Sequence, residues 1–322
     1  MAGTSNYPDG FSQNGVTIRG VNLLQNQPGK VFWVNNSGVI AEGGVGGSDG
    51  NDGSYKKPFS TLDYAIGRCK ANRGDIIFLM PGHAETVSAA AGIVCDVAGI
   101  SIVGLGHGSL QAQFTLDTAA TADIDIDAAD VRFVNVRFTA GFADIAAGID
   151  INANGTEFHS CLFDESATDL NWVVVMNVAD GVDNLWVNDC DYRGGDASND
   201  HFIEMAGTHE NVKITNNRMI HAVAQTAGVA MIESATQQLN ILIENNRFHS
   251  ETAAVAAAFV VLTGTTNTGL AVDNYMSHVD ADATAANSVA AFDVTGCGSF
   301  NNKIAATGDI YGVEFATAED LT

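Results

Sequence analysis

Three aspartates, Asp123, Asp125 and Asp127, alternate along one short stretch, and Asp150 and Asn152 follow one repeat later. If both stretches are strands, alternation puts these side chains on one face. Stacking in register would set Asp150 beside Asp125 and Asn152 beside Asp127, about 4.8 Å away. Carboxylates that close repel unless a cation or ordered water lies between them. Paired carboxyls are also what most glycoside hydrolases use. In so acidic a chain a solvated acidic flank accounts for the same residues, and it is favoured over a cation site or a catalytic pair.

Two histidine groups compete with it. His221, His249 and His278 come at nearly constant spacing, with Glu251 and Asp280 close by, and are expected to gather on one turn edge. His83 and Glu85, in Pro81-Gly-His-Ala-Glu-Thr86, have the spacing of an acid/base pair, although Pro-Gly before short polar residues is equally a turn. A lyase would add an aspartate group holding calcium and a basic residue set as base. Arg137, Arg218 and Arg247 recur regularly instead of marking one place, so no catalytic constellation stands out and no cofactor is implied.

The element that must position all of these is a repeat. Large apolar residues return at Phe138, Phe163, Tyr192, Met219, Phe248, Met276 and Ile304, in steps of 25, 29, 27, 29, 28 and 28 residues. Short alternating strands at such a period indicate a solenoid rather than a globular core. Two residues before each anchor stand Val136, Cys161, Cys190, Asn217, Asn246, Asn274 and Asn302, which share the anchor's inward face. Stacked Asn amides satisfy one another from coil to coil. With Asn, Gly, Asp and Thr turns between strands, the expected fold is all-β, a right-handed parallel β-helix of 25–29-residue coils, its hand following the general crossover rule.

Composition narrows the partners. Among 322 residues, 38 are acidic and 14 are Lys or Arg, a net charge of −24 that argues against nucleic acid or an anionic membrane. No window has the length of apolar sequence a membrane span needs, and residues 1–13 lack the pattern of a signal peptide. Synthesis in a cytoplasm is therefore expected. Five cysteines without framework spacing read as free, buried thiols.

Three units are expected along the chain. Residues 1–45 read as an arm with short strands and exposed aromatics, which must lie on a partner or on the solenoid. Residues 46–74 hold the end of a flexible glycine-rich acidic linker (43–53) and a capping helix that starts at Ser60, with Asp63 as weak capping-box partner, and ends at Gly74. A calcium loop in the linker is disfavoured because the terminal Glu ligand is missing. Residues 75–322 are the β-helix.

Tyr7-Pro-Asp-Gly-Phe11, Gly15-Val-Thr-Ile-Arg-Gly20, Pro28-Gly-Lys-Val-Phe32, Gly47-Ser-Asp-Gly50, Lys57-Pro-Phe-Ser-Thr-Leu-Asp-Tyr-Ala65 and Pro81-Gly-His-Ala-Glu-Thr86 together resemble a family of tailed-phage virion structural proteins. The likeness continues through Asp96-Val-Ala-Gly-Ile-Ser-Ile-Val-Gly-Leu-Gly106 and Gly141-Phe-Ala-Asp144, clear in the first half and loose in the repeats. It implies a tailspike-like or pectate-lyase-like β-helix on a particle, as a head decoration or cement protein. The implied partners are the major capsid protein and further copies of the chain, a trimer before a dimer, on the virion surface after synthesis in the host cytoplasm. Tyr7, Phe11, Arg19, Phe32 and Trp33 are the expected docking anchors. The alternative is a tailspike-like receptor-binding protein or a polysaccharide-degrading enzyme.

Overall fold

The computed structural model describes residues 29–38, 40–167, 169–195, 201–222, 230–251, 258–278 and 292–306, and the backbone of two-residue strands at 12–13, 16–17 and 314–315. Three parallel ladders run along it. The first has ten strands, from Val31–Val34 to Gly298–Phe300. The second starts at Ala84–Val87, runs to Lys303–Ala306 and ends on the antiparallel Glu314–Phe315, ten strands in all. The third has eight, from Ile93–Val94 to Phe292–Asp293. The chain visits first, second and third ladder in turn and then steps up one coil, forming a right-handed parallel β-helix.

Register follows the apolar anchors. Phe138, Phe163, Tyr192, Met219, Phe248, Met276 and Ile304 stand opposite one another along the second ladder, and Phe114 precedes them. A slip of one residue in this pairing would turn the inward side chains out. The corner between first and second ladder is tight because one residue per coil is left-handed: Asn135, Ser160, Asp189, Asn216, Asn245, Asp273 and Asn301 have φ between 52 and 60°. Asn and Asp adopt that conformation at least cost among residues with a Cβ.

The interior changes character along the axis. In the middle coils Phe114, Phe138 and Phe163 stack, with centroids 6.0 and 5.1 Å apart, against a second pair, Phe133 and Phe158, at 5.4 Å. The Cys161 thiol there donates to the Phe133 carbonyl of the preceding coil and the Cys190 thiol to that of Phe158. Further along, amides take over the same carbonyl row. Asn217, Asn246, Asn274 and Asn302 donate from Nδ2 to Val187, Ile214, Ile243 and Ala271 at 2.8–3.0 Å. Each of the first three also donates, from backbone N and from Nδ2, to Oδ1 of the next asparagine at 2.9–3.0 Å. Every amide atom of this buried row is thereby used.

Three expectations change at the N-terminal end. The solenoid begins at Val31–Val34, inside the stretch read as an arm. Alternation buries Phe32 and Val34 inside, against Phe59, and turns Trp33 to the outer face. Trp33 is nevertheless 1% exposed, because Tyr55 meets it edge-on at 5.0 Å and Phe78 lies alongside at 4.9 Å. Neither ring is free to dock.

Residues 43–53 are an ordered flap over that face rather than a linker. Gly53 and Phe59 bond to the backbone of Trp33, and Val45 and Ser48 bond to Lys56 and Pro58. Its glycines serve close approach: a Cβ on Gly47 would lie 1.6 Å from the Asn35 carbonyl, and one on Gly53 2.4 Å from the Phe59 ring.

The helix is only Leu62–Ile66, and Gly67, not Gly74, ends it. Ser60 does not cap it. Asp49 Oδ1 accepts from the Ser60 and Thr61 N–H groups, and Glu85 Oε2 accepts from Leu62 N–H. Leu62, Ala65 and Ile66 close the bottom of the interior. Among the described residues no helix is long and apolar enough to cross a membrane.

Candidate functional site

The outer face of the third ladder carries the aspartates. Asp125 stands opposite Asp150, and Asn177 follows Asp150 in the same row. Oxygens of Asp123, Asp125 and Asp150 all lie within 4.8 Å of one another. Their surroundings differ. Asp123 accepts from the Ala91 N–H, Asp150 from Asn177 Nδ2 at 2.8 Å, and Asp127 from Asn152 Nδ2 at 2.9 Å. Burial, and then the charges of Asp123, Asp127 and Asp150, push Asp125 up to about 6. Asp123 is raised as well, by burial first and by Asp150. Three carboxylates so placed are able to share a proton or a divalent cation.

His83 and Glu85 come together, with Nε2 3.2 Å from Oε2, but they are structural. The imidazole is buried; its Nδ1 accepts from Asn36 N–H, so Nε2 carries the proton toward Glu85, which in turn receives the first N–H of the helix. Two carboxylates near the cap are equally occupied. Burial raises Asp75, yet Arg73 and the Lys30 and Lys70 N–H groups outweigh it and hold the carboxyl low. Asp49 is likewise held low against its burial by hydrogen bonds from Ser60 and Thr61. The flap's Asp49 and Asp52 thus spend their oxygens on Ser60, Thr61 and Ser54.

The histidine series separates. His221 and His249 are offset by one along their paired strands, so they point to opposite sides. His221 is buried over the Tyr192 ring, whereas His249 faces out, bonded to Ser277 Oγ at 2.8 Å and Glu251 Oε1 at 3.1 Å. The side chain of His278 and all of Asp280 lie outside the described residues, as do the docking candidates Tyr7, Phe11 and Arg19.

The outer face of the second ladder holds what sequence spacing did not single out. Asp191, Arg218, Arg247, Tyr275 and Lys303 form one row, and Arg193, Ile220, His249 and Ser277 the next. Over the middle of them lies a cleft of about 320 Å³ lined by Arg218, Ile220, Arg247, His249, Tyr275 and Ser277. The signal was present as the recurrence of Arg directly after the inward amides Asn217 and Asn246. What it lacked was the knowledge of which arginines are neutralised.

No family model matches the chain, and no curated protein matches it. Among solved structures, the pectin methylesterase from Aspergillus niger in deglycosylated form is similar at 12% identity and a TM-score of 0.48, over 88% of this chain and 87% of that chain. It is a likeness of β-helix fold alone.

Proposed function

We propose that the chain is a non-enzymatic structural protein of a tailed-phage particle, a decoration or cement protein on the capsid surface. It would hold the major capsid protein shell through its N-terminal segment and associate with further copies of itself, as a trimer before a dimer. The observation that carries this reading is the covered first rung. Residues 40–66 occupy its outer face and its open end, so Phe32 and Trp33 belong to the body. The docking role then falls on residues 1–28, with Tyr7, Phe11 and Arg19. The resemblance of those residues to phage structural proteins supports the same role.

The test is cosedimentation with phage heads of the full chain and of a chain lacking residues 1–28. Binding by the full chain, lost on truncation while thermal unfolding stays unchanged, is the expected result. Equal binding by both chains, or none by the full chain, would overturn it.

The Asp125 carboxyl near pH 6 beside Asp150 favours a second reading, a polysaccharide-acting β-helix. One group would donate a proton and the other act as base or nucleophile. Turnover of a host glycan that disappears in Asp125→Asn would establish it in place of the first.

A further inference from the structure

The outer face of the second ladder carries an inference that goes beyond a structural role. In this acidic chain three of the described arginines lie against a carboxylate. Arg73, Arg132 and Arg137 reach Asp75, Glu157 and Asp164 at 2.5 Å. Arg218 and Arg247 are directly opposite one another, both exposed, and make no ion pair among the described residues. Like charges set opposite across a ladder are destabilising. Asp191 stands opposite Arg218 on its other side but does not pair with it, and among the described residues Glu251, close to the cleft, is bonded to His249.

Beyond Arg247 the row continues as Tyr275, 45% exposed, with Lys303 Nζ 5.1 Å from its ring centre. From Arg218 to Lys303 the row crosses four strands, about 14 Å at ladder spacing. A single small anion fills only one step of that length. The net charge of −24 opposes a long polyanion such as nucleic acid.

We propose that this face binds a short oligosaccharide bearing carboxylate or sulfate groups. The two guanidinium groups take the anionic substituents through paired N–H donors, and the Tyr275 ring takes the apolar face of a sugar. His249, fixed by Ser277 and Glu251, forms the side wall of the cleft.

The experiment is isothermal titration calorimetry on the full chain with three probes: a tetragalacturonate, its fully methyl-esterified form, and inorganic sulfate. The tetragalacturonate is expected to bind, the neutral ester at least about tenfold more weakly, and inorganic sulfate more weakly than the tetragalacturonate. Arg218→Ala with Arg247→Ala should abolish the difference between acid and ester while leaving thermal unfolding intact. Tyr275→Ala should weaken the oligosaccharide several-fold and leave sulfate unchanged. Equal binding of acid and ester, indifference to the arginine substitutions, sulfate as good as the oligosaccharide, or no binding of any probe would each overturn the proposal. None of these outcomes depends on whether the chain sits on a particle.

Discussion

The two halves of the solenoid meet the same structural demand with different chemistry. Each coil presents one interior carbonyl from the first ladder to the coil that follows. In the middle coils it meets a thiol, Cys161 or Cys190, beside stacked phenylalanines. In the later coils it meets an amide that also bonds the next amide. The outer faces diverge as well: crowded carboxylates at Asp123, Asp125 and Asp150 early, and late Arg218 and Arg247, which make no ion pair among the described residues. The aromatic half rests on local packing, in which each ring contributes by its own contacts. The amide half rests on a connected chain, in which one missing member leaves donors and acceptors stranded on both sides.

Substitution separates the two. Asn246→Ala strands the Asn217 N–H and frees the Ile214 carbonyl, both buried, and should cost about 3–5 kcal/mol in urea unfolding. A cost below about 1 kcal/mol would mean that water replaces the amide, against the connected-chain view. Phe138→Leu in the aromatic half should cost less, about 1–2 kcal/mol, since the neighbouring rings relax around it.

On the outer face, Asp125→Asn tests the carboxylate crowding through pH. The folded pKa of about 6 lies above the ordinary 3.8, so this group favours folding below the ordinary value, and that contribution is lost as pH rises through 6. The variant has no such loss. At pH 4 the two chains should unfold together, and at pH 8 the variant should be more stable by on the order of 1 kcal/mol after solvent screening. A pH-independent difference would point to something other than charge.

The smallest effect is expected from Cys190→Asn. Cys190 N–H already donates to Asn217 Oδ1, so a new amide would join the row and reach the Phe158 carbonyl. A change within about 0.5 kcal/mol of neutral would show that the amide row can be lengthened toward the aromatic half.

What could be read from the sequence depended on whether a residue's role is periodic. Inward anchors repeat, so their spacing carried the fold and the facing of Asp125 and Asp150. The left-handed corners repeat too, as Asn135 through Asn301, yet read as ordinary turn residues because nothing in composition separates a corner from a loop. The flap is where the reading failed. Glycines at 47 and 53 look like flexibility in a string of letters, and only the nearness of the Asn35 carbonyl and the Phe59 ring reveals them as clearance. Trp33 and Phe32 share a strand and point to opposite sides, one needing a cover and one needing none. His221 and His249 were separated by the same alternation, one position out of step. The arginine row was visible, but neutralisation is a matter of three-dimensional neighbours, and it distinguishes Arg137 from Arg218.

The flap has a further consequence for how such rods meet one another. A bare end strand is a template onto which a second chain can add, the route to fibril growth. At Val31–Val34 the backbone of Trp33 and Asn35 is already taken by Gly53 and Phe59 of the same chain. Growth by strand addition is blocked on that end, which gives the rod a polarity: coil-on-coil polymerisation cannot proceed head to head.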